Sequence, residues 1–410
     1  MKNWSGNVEF VPERLVHPQS ISEIAEIVSN STKLRAVGSA HSFNRIADSH
    51  DTLIAFDEFP HDISIDSVSR TVRVSAGVRY GELAIALHAA GFALPNMGSL
   101  PHITVVGATS TGTHGSGVAN QNLSAAISRI ELINADGEDV TIAGVDLSAA
   151  RVGLGALGII HHVTLNIIPA FELTQAVYVD LPFQDFLANF HDVMAGAYSV
   201  SAFTTWGDSV IDQLWVKALP SAENVVPDTY FGAKIATTKM HPLAGADTQS
   251  ATEQMGSRGP WHERLPHFKL DFTPSFGEEL QSEFFIDITD AKPALEYLYG
   301  MRELIQPYLL VSELRTIARD ENWLSPSYQR DSLAIHFTWK PDVVGVRALL
   351  PTIEAGLNPF NARPHWGKLF TDADFDFQVL YPQFSAWKVF RDKYDTTRKF
   401  TNTQLEAWGI

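Results

Sequence analysis

Two short segments in the second half of the chain each place a pair of polar side chains two residues apart. The first pair is Glu313 and Arg315, and the second is His336 and Thr338. Both segments alternate in the manner of a β-strand, in which successive side chains point to opposite faces, so each pair shares one face. Together they supply the mixed donors and acceptors that a polyhydroxylated ligand needs. The same pattern would also arise if this face of the sheet were simply solvated.

A turn with several cyclic side chains follows these strands at residues 363–368. It contains a proline, a tryptophan and a glycine, and it presents His365 and Lys368. A lysine close to a histidine favours the neutral imidazole and stabilises an oxygen that is losing its proton. The turn therefore extends the set of residues that could act on a hydroxyl group.

Three glycine-rich stretches lie in the first half of the chain, at residues 37–44, 107–117 and 153–160. Each lies beside a predicted strand. Backbone N–H groups that no side chain covers, with hydroxyls such as those of Thr111 and Thr113, can hold a pyrophosphate. One such stretch alone would be typical of a flexible surface loop, but three in one region favour a binding site for a large phosphate-bearing cofactor.

A single histidine, His41, stands among small residues in the first of these stretches. The residues alone leave it as a ligand, a base, a covalent anchor or a packed side chain. Zinc is disfavoured because the chain has no cysteine and no H-E-x-x-H motif, and because His114 is distant in sequence. The adjacent His161 and His162 are predicted to point to opposite faces of a strand and so not to share a metal. We expect no metal site.

The elements that must position these residues fall into two regions. Ser20 and Glu23 suggest a capping box before a helix with apolar residues at Ile21, Ile24, Ala25 and Val28. Strands are predicted at residues 34–37, 53–56, 63–65, 71–75 and 163–168, a helix at 81–90, and a hairpin at 130–142. Beyond Pro169 the chain reads as an antiparallel sheet with helices, so we predict an α+β protein with a domain boundary near residue 170.

Composition limits the classes of partner. The 410 residues are 45% hydrophobic and carry a formal charge of −17, and no cluster of lysine or arginine appears. This balance argues against nucleic acid or an anionic membrane surface as partner. The chain has no cysteine, so disulfides and thiolate chemistry are excluded. With neither a signal peptide nor a membrane-spanning segment visible, we expect a cytoplasmic protein without a membrane partner.

Four motifs in this order resemble the vanillyl-alcohol-oxidase-type flavoproteins, and among these most of all the alditol (xylitol) oxidases. They are residues 38–43, 111–117, 155–158 and 365–368. The resemblance spans nearly the whole chain. One departure is Asp395 to Phe400, which replaces the Asp-Pro-x-Gly-Lys-Phe found in many relatives and puts only that turn in doubt.

The resemblance implies a two-domain FAD-binding fold of the PCMH type: an FAD-binding domain at 1–170, a substrate domain at 171–370, and a segment 371–410 that returns to the FAD domain. It implies FAD as cofactor, joined through its 8α-methyl group to His41. The implied cofactor contacts are Ala36, Val37, Gly38, Ser39, Ala40, His41, Ser42, Ser99, Thr104, Gly107, Thr111, Gly112, Thr113, His114, Gly158, Ile159 and His365.

The implied chemistry is oxidation of the terminal hydroxyl of a linear polyol such as xylitol or sorbitol, with O₂ reduced to H₂O₂. His336 and Lys368 would activate the hydroxyl, and substrate contacts would come from Ser99, Glu313, Arg315, Thr338 and Lys368. Gly98 would leave room for O₂ at the flavin.

Two alternatives remain open at this point. A sugar-1,4-lactone oxidase or dehydrogenase would use the same scaffold, and a non-catalytic sugar- or nucleotide-binding protein would use the same polar sheet face. A monomer is expected, although no motif fixes the oligomeric state.

Overall fold

The structure is a computed structural model that describes residues 1–207, 209–220, 226–272, 279–371 and 375–410. The chain begins with a parallel three-stranded sheet in the order Arg14–Val16, Thr52–Ala55, Leu34–Val37. The helix Ile21–Asn30 packs on it through Ile24 and Val28, which share an apolar cluster with Leu34. Its start is the predicted one, because Ser20 accepts a hydrogen bond from the backbone N–H of Glu23.

An antiparallel sheet of five strands follows, counted over the described residues. Its order is Ile63–Asp66, Thr71–Ser75, Ile159–Asn166, Ile127–Ile133, Asp139–Ala143. The predicted hairpin is confirmed as the pair Ile127–Ile133 and Asp139–Ala143. The helices of this region are Tyr80–Ala89, Val105–Ser110 and Leu147–Ala150, and Phe92–Ala93 pairs with Ile168–Pro169.

The prediction that His161 and His162 point to opposite faces is wrong. Their Nδ1 atoms lie 2.7 Å apart. The register of this strand against Ile127–Ile133 shifts at the point where Glu131 faces His162 and Leu132 faces Ile160. The extra residue forms a β-bulge, which breaks the alternation on which the prediction rested.

The second half of the chain is built on a large antiparallel sheet, ten strands as far as the described residues show. In spatial order the strands are Thr229–Tyr230, Ala233–Ile235, Glu172–Pro182, Val210–Ala218, Ser199–Thr204, Leu309–Ile317, Ser332–Trp339, Leu280–Asp287 and Arg363–Pro364, with Arg258–Pro260 also paired to Glu172–Pro182. Leu314, Ile335 and Phe337 belong to an apolar cluster that also takes in residues of the helices. These helices are Phe183–Ala188, Phe190–Ala195, Ala291–Gly300, Arg302–Ile305 and Val343–Leu357.

The last segment packs back on the beginning of the chain. Its helices are Phe377–Leu380, Phe384–Arg391 and Thr403–Ala407. Phe400 lies in the apolar cluster of the first helix, and its carbonyl accepts a hydrogen bond of 2.6 Å from Arg35. In the turn that departs from the related pattern, the buried Asp395 accepts hydrogen bonds from the N–H groups of Lys399 and Phe400.

The α+β class predicted from the sequence is confirmed by these sheets and helices. The domain boundaries at 170 and 370 stay a prediction. Across the described parts of the chain, no helix has both the length and the apolar character needed to cross a membrane.

Candidate active site

A large cleft separates the glycine-rich stretches from the large sheet. The space within it is about 1910 Å³, including the part that opens to solvent. We call it the central cleft. Of the residues implied by the resemblance, those that line it are Ala36, Val37, Gly38, Ser39, Ala40, His41, Ser42, Ser99, Thr104, Gly107, Thr111, Thr113, His114, Gly158, Glu313, Arg315, His336, Thr338, His365 and Lys368.

Gly112 and Ile159 are not among the lining residues. Ile159 is buried in the apolar cluster beneath the first helix. Its neighbour Ile160 faces the cleft instead, beside Gly158. The third glycine-rich stretch thus reaches the cleft at positions slightly different from the expected ones.

His41 lies at the turn that follows the strand Leu34–Val37. Its ring centroid is 4.4 Å from that of Trp4, and Phe43 meets it edge-on at 5.8 Å. Burial, with the positive charge of Lys368, lowers the pKa of His41 to about 3. Its Nε2 is buried and has no hydrogen-bond partner among the described residues. The ring is therefore neutral and presents an unused nitrogen beside the cleft.

The second glycine-rich stretch is in part a short helix, Val105–Ser110, and only residues after it form a loop. Thr104 precedes this helix, and its Oγ1 would lie 2.1 Å from a Cβ added at Gly38 and 2.7 Å from one added at Gly107. Gly38 is thus required for the close approach of the two backbone segments, whereas Gly107 and Thr104 belong to the same segment. The packing holds the first and second stretches side by side along the cleft.

The polar pairs on the two late strands come together as predicted. Glu313 lies directly opposite His336 in the register of Leu309–Ile317 and Ser332–Trp339. Arg315 and Thr338 line the same cleft. The shared face of each pair is confirmed, and we call these four residues the polar face. It is buried rather than solvated, since each of its members is less than a tenth exposed.

Lys368 contacts the polar face through His336. Lys368 Nζ lies 2.6 Å from His336 Nδ1, and His336 Nε2 lies 3.1 Å from Thr338 Oγ1. Burial, and next Lys368, lowers the pKa of His336 to about 4. A neutral imidazole that accepts from Lys368 at Nδ1 carries its proton on Nε2 and donates it to Thr338.

Glu283, on the strand Leu280–Asp287, contacts Lys368, Arg315 and His114, and it was not identified from the sequence. Its carboxylate lies 2.9 Å from Lys368 Nζ, 2.6 Å from Arg315 Nη2 and 3.3 Å from His114 Nε2. Burial alone would raise the pKa of Glu283, but Lys368 and Arg315 outweigh it and hold that pKa well below its usual value. The feature that could have identified Glu283 in the sequence is a charged residue directly before two phenylalanines of a strand, Phe284 and Phe285.

Ser99 and His365 complete the wall of the cleft. Arg315 Nη1 donates to Ser99 Oγ at 3.3 Å. The ring of His365 accepts at Nδ1 from the backbone N–H of Gly367. The backbone N–H of His365 donates to the carbonyl of Glu283. Burial, with Lys368, holds the pKa of His365 well below its usual value, so this ring is also neutral.

The donor set does not suit a metal ion. No cluster of three or more histidine, cysteine, aspartate or glutamate side chains with metal-binding geometry occurs in the described part of the chain. It does suit FAD, because the cleft joins closely packed glycine turns to a neutral His41 whose Nε2 is unpartnered.

Comparison with known proteins agrees with this geometry. Residues 12–143 match the family described as FAD binding domain, and residues 202–408 match the family described as D-arabinono-1,4-lactone oxidase. An alditol oxidase of a Streptomyces species is 42% identical, with 98% of this chain and 97% of that protein aligned. The chain belongs to the alditol oxidase family. It is thus an FAD-dependent oxidoreductase.

The name of another relative refers to a lactone substrate. An L-gulono-1,4-lactone dehydrogenase of Mycobacterium tuberculosis is 28% identical, with 98% of this chain and 96% of that protein aligned. The cholesterol oxidase of B. sterolicum superimposes with a TM-score of 0.81 at 13% identity, covering 99% of this chain and 96% of that one. The predicted vanillyl-alcohol-oxidase-type, PCMH-type fold is confirmed.

Proposed function

We propose that this protein oxidises the terminal hydroxyl of a linear polyol, such as xylitol or sorbitol, to the aldehyde. O₂ is the electron acceptor and H₂O₂ the second product. The observation that carries the proposal is the contact of 2.6 Å between Lys368 Nζ and His336 Nδ1 on a buried polar face. The name of the Streptomyces relative, alditol oxidase, supports the same substrate class.

We propose that FAD occupies the central cleft and is tethered to His41. The cofactor contacts would be the lining residues of the three glycine-rich stretches, with His114 and His365 at the end nearest the polar face. FAD in this cleft would supply the acceptor for a hydride from the alcohol carbon and the route of its two electrons to O₂. A neutral imidazole with a free nitrogen, as in His41, is the form that can make a covalent bond to the cofactor.

The side chains of the polar face would activate the hydroxyl. His336 would accept the hydroxyl proton at Nδ1 once the alcohol oxygen takes over the contact with Lys368, because Nε2 is turned to Thr338. Lys368 supplies the positive charge that stabilises the alcohol oxygen as it loses that proton. Glu283 keeps Lys368 in place and balances its charge.

Recognition of the remaining hydroxyls would fall to the same face. Glu313 accepts, Arg315 donates, and Ser99 and Thr338 can do either. Such a mixed set matches a chain of neighbouring hydroxyls better than an apolar alcohol. The apolar Val311 and Leu243 also line the cleft, so its polar part is limited in length.

We further propose that the FAD-binding domain covers 1–170, that the substrate domain covers 171–370, and that 371–410 returns to the first domain. The packing of Phe400 against the first helix supports this division. A cytoplasmic monomer is the expected state. Light scattering on a size-exclusion column and cell fractionation test the two parts of that statement.

Absorbance spectroscopy of the purified protein tests the activity directly. We expect a yellow protein whose flavin band bleaches when xylitol is added without oxygen and returns with air. Steady-state rates with xylitol, sorbitol and L-gulono-1,4-lactone then separate the substrate classes. Turnover of the lactone alone would instead support a lactone oxidase or dehydrogenase, the names carried by the second matching family and by the mycobacterial relative. A colourless protein that retains no flavin would favour a binding protein.

A further inference from the structure

A buried lysine lies outside the polar face and has no part in the proposed chemistry. Lys217, on the strand Val210–Ala218, is 1% exposed. Its ammonium group donates to the carbonyls of Leu265 and Pro266 and lies 3.1 Å from Nδ1 of His267. An ammonium has three donors, and all three are engaged here. A fully buried lysine is costly unless its partners require it.

His267 connects this lysine with the polar face. Its Nε2 lies 2.8 Å from Oε1 of Glu313. Phe203 and Trp215 meet the imidazole ring edge-on, with centroid distances of 5.4 and 5.1 Å, and so restrict its rotation. Burial, with the charge of Lys217, lowers the pKa of His267 to about 4, which keeps the ring neutral.

The three groups together determine which nitrogen of His267 carries the proton. Burial lowers the pKa of Lys217 to about 7, and below that pH its ammonium group has only donors, so Nδ1 of the neutral ring must accept. The proton is then on Nε2, where it is donated to Glu313. Since the hydrogen bond of Glu313 to the described protein goes through Oε1, its other oxygen is left for a ligand in the cleft.

We propose that Lys217 is a positioning residue for substrate recognition, because its contact with Nδ1 keeps His267 in the neutral Nε2–H form that holds Glu313 as a hydrogen-bond acceptor for one substrate hydroxyl. The inference rests on the proposed function, in which Glu313 contacts the polyol. The backbone N–H of His267 also donates to the carbonyl of Ser99 at 3.1 Å, so the segment that carries His267 packs against a second residue of the proposed substrate site.

Loss of the lysine would remove this constraint. The Nε2–H bond to Glu313 would stay, but Nδ1 would lose its donor and the ring would lose the nearby positive charge, so His267 could take up a second proton at Nδ1. Glu313 would then be paired with a cation and would accept more weakly from a substrate hydroxyl. The polar contacts of Lys368 and His336 would be unaffected, because neither touches Lys217 or His267 among the described contacts.

The test compares Lys217→Met with a matched control, Gln175→Met. Gln175 lies directly opposite Lys217 on the neighbouring strand and is equally buried. Its amide donates to Thr252 and to the carbonyl of Glu253, so its loss loosens the same surface loop without touching His267. If Lys217 only stabilised the fold, the two variants would show the same state of His267 and the same kinetics.

Two measurements are made on the flavin-loaded proteins. Side-chain ¹⁵N spectra, assigned with His267→Gln, report the tautomer of His267 without substrate. We expect the neutral Nε2–H form in the wild type and in Gln175→Met, and a second proton, at Nδ1, in Lys217→Met. Rapid-reaction kinetics should show the half-saturating xylitol concentration raised by about 10- to 100-fold in Lys217→Met only, with the limiting rate of flavin reduction within about threefold.

An Nδ1–H tautomer of His267 in the wild type would overturn the proposal, even if Lys217→Met did not fold. Equal kinetic changes in Lys217→Met and Gln175→Met would also overturn it. Failure of the proposed function is a separate result, since it would appear as a wild-type enzyme that does not reduce its flavin with xylitol while the tautomer measurement still stands.

Discussion

At the scale of single residues, the candidate site contains buried charges of opposite sign that compensate one another. Glu283 is 1% exposed and binds both Lys368 and Arg315. A buried ion pair is maintained only with close geometry and further hydrogen bonds, and removing one partner leaves an uncompensated charge. The polar face can therefore keep a lysine charged next to a neutral histidine. That combination is what removal of a hydroxyl proton requires.

Replacing Lys368 by methionine tests its part in the chemistry. We expect kcat/KM for xylitol to fall by about 10²- to 10⁴-fold, because the alcohol oxygen loses its stabilising cation. The measurement is the rate of flavin reduction in stopped flow. Lys292→Met, at an exposed position of the helix Ala291–Gly300, is the control and should retain wild-type rates. Near-normal reduction in Lys368→Met would remove this residue from the mechanism.

Replacing His41 by alanine tests the tether. Acid-precipitated wild-type protein should stay yellow, whereas His41→Ala should release its flavin or lose it during purification. The reason is that the neutral imidazole of His41 lines the cleft in which the flavin would lie. Fluorescence of the denatured protein band measures the outcome, and free flavin in the wild-type supernatant would contradict the tether.

Replacing Gly98 by alanine tests the proposed access of O₂. An added Cβ would meet no protein atom closer than 3.7 Å, so packing should be unaffected. Because Gly98 lines the cleft, the methyl group would occupy space beside the flavin. We expect slower reoxidation by O₂ with little change in reduction by xylitol. Unchanged reoxidation would show that O₂ reaches the flavin elsewhere.

At the scale of elements, the site depends on strand register and on close packing of turns. The register that sets Glu313 opposite His336 brings two polar pairs onto one surface. On the other side of the cleft, the turn after Leu34–Val37 lies against Thr104 so closely that a side chain at Gly38 has no room. The cleft is bounded by elements that cannot shift independently.

Replacing Gly38 by alanine should weaken flavin retention and lower the melting temperature. The new Cβ would lie 2.1 Å from Thr104 Oγ1, which forces the two turns apart. Thr104→Ala removes that oxygen, so the double variant should recover part of the loss. Gly300→Ala is the control, since its Cβ meets nothing within 4 Å. Equal melting temperatures for Gly38→Ala and Gly300→Ala would contradict the close packing.

Most elements could be predicted because their signals are local. Alternation identified the strands of the polar face, and a capping serine identified the first helix. The bulge at His161 and His162 could not be predicted, since it arises from the pairing with Ile127–Ile133. The short helix Val105–Ser110 was also missed, because glycine and threonine there are weak helix formers and tertiary packing decides the conformation.

At the scale of the whole molecule, many histidines are buried in the neutral state. Burial lowers the pKa of His267 and of His336 to about 4. An unfolded chain would bind protons at these positions below pH 6.5, whereas the folded chain does so only near pH 4. Folding is therefore favoured above about pH 6.5, and its free energy declines as the pH falls toward 4.

Unfolding in urea at pH 7 and pH 5 measures this dependence. We expect the free energy of unfolding to fall by on the order of 2 kcal/mol for each such histidine. Asp320, whose pKa burial raises to about 6, acts in the opposite direction and offsets part of the loss. His267→Gln should reduce the pH dependence, and His191→Gln, at a side chain that is 76% exposed, should not. Stability that rises toward pH 5 would contradict the assignment.

The amino-acid sequence by itself determined the α+β class, the glycine-rich bed of the cleft and the polar pairs of the two late strands, because period and composition act over neighbouring residues. Tertiary structure alone decided which of these surfaces meet. Glu283 is brought beneath Lys368, and Lys217 behind His267, by strand pairings and loops that join distant parts of the chain. Such contacts depend on the register of the large sheet, which no local pattern encodes.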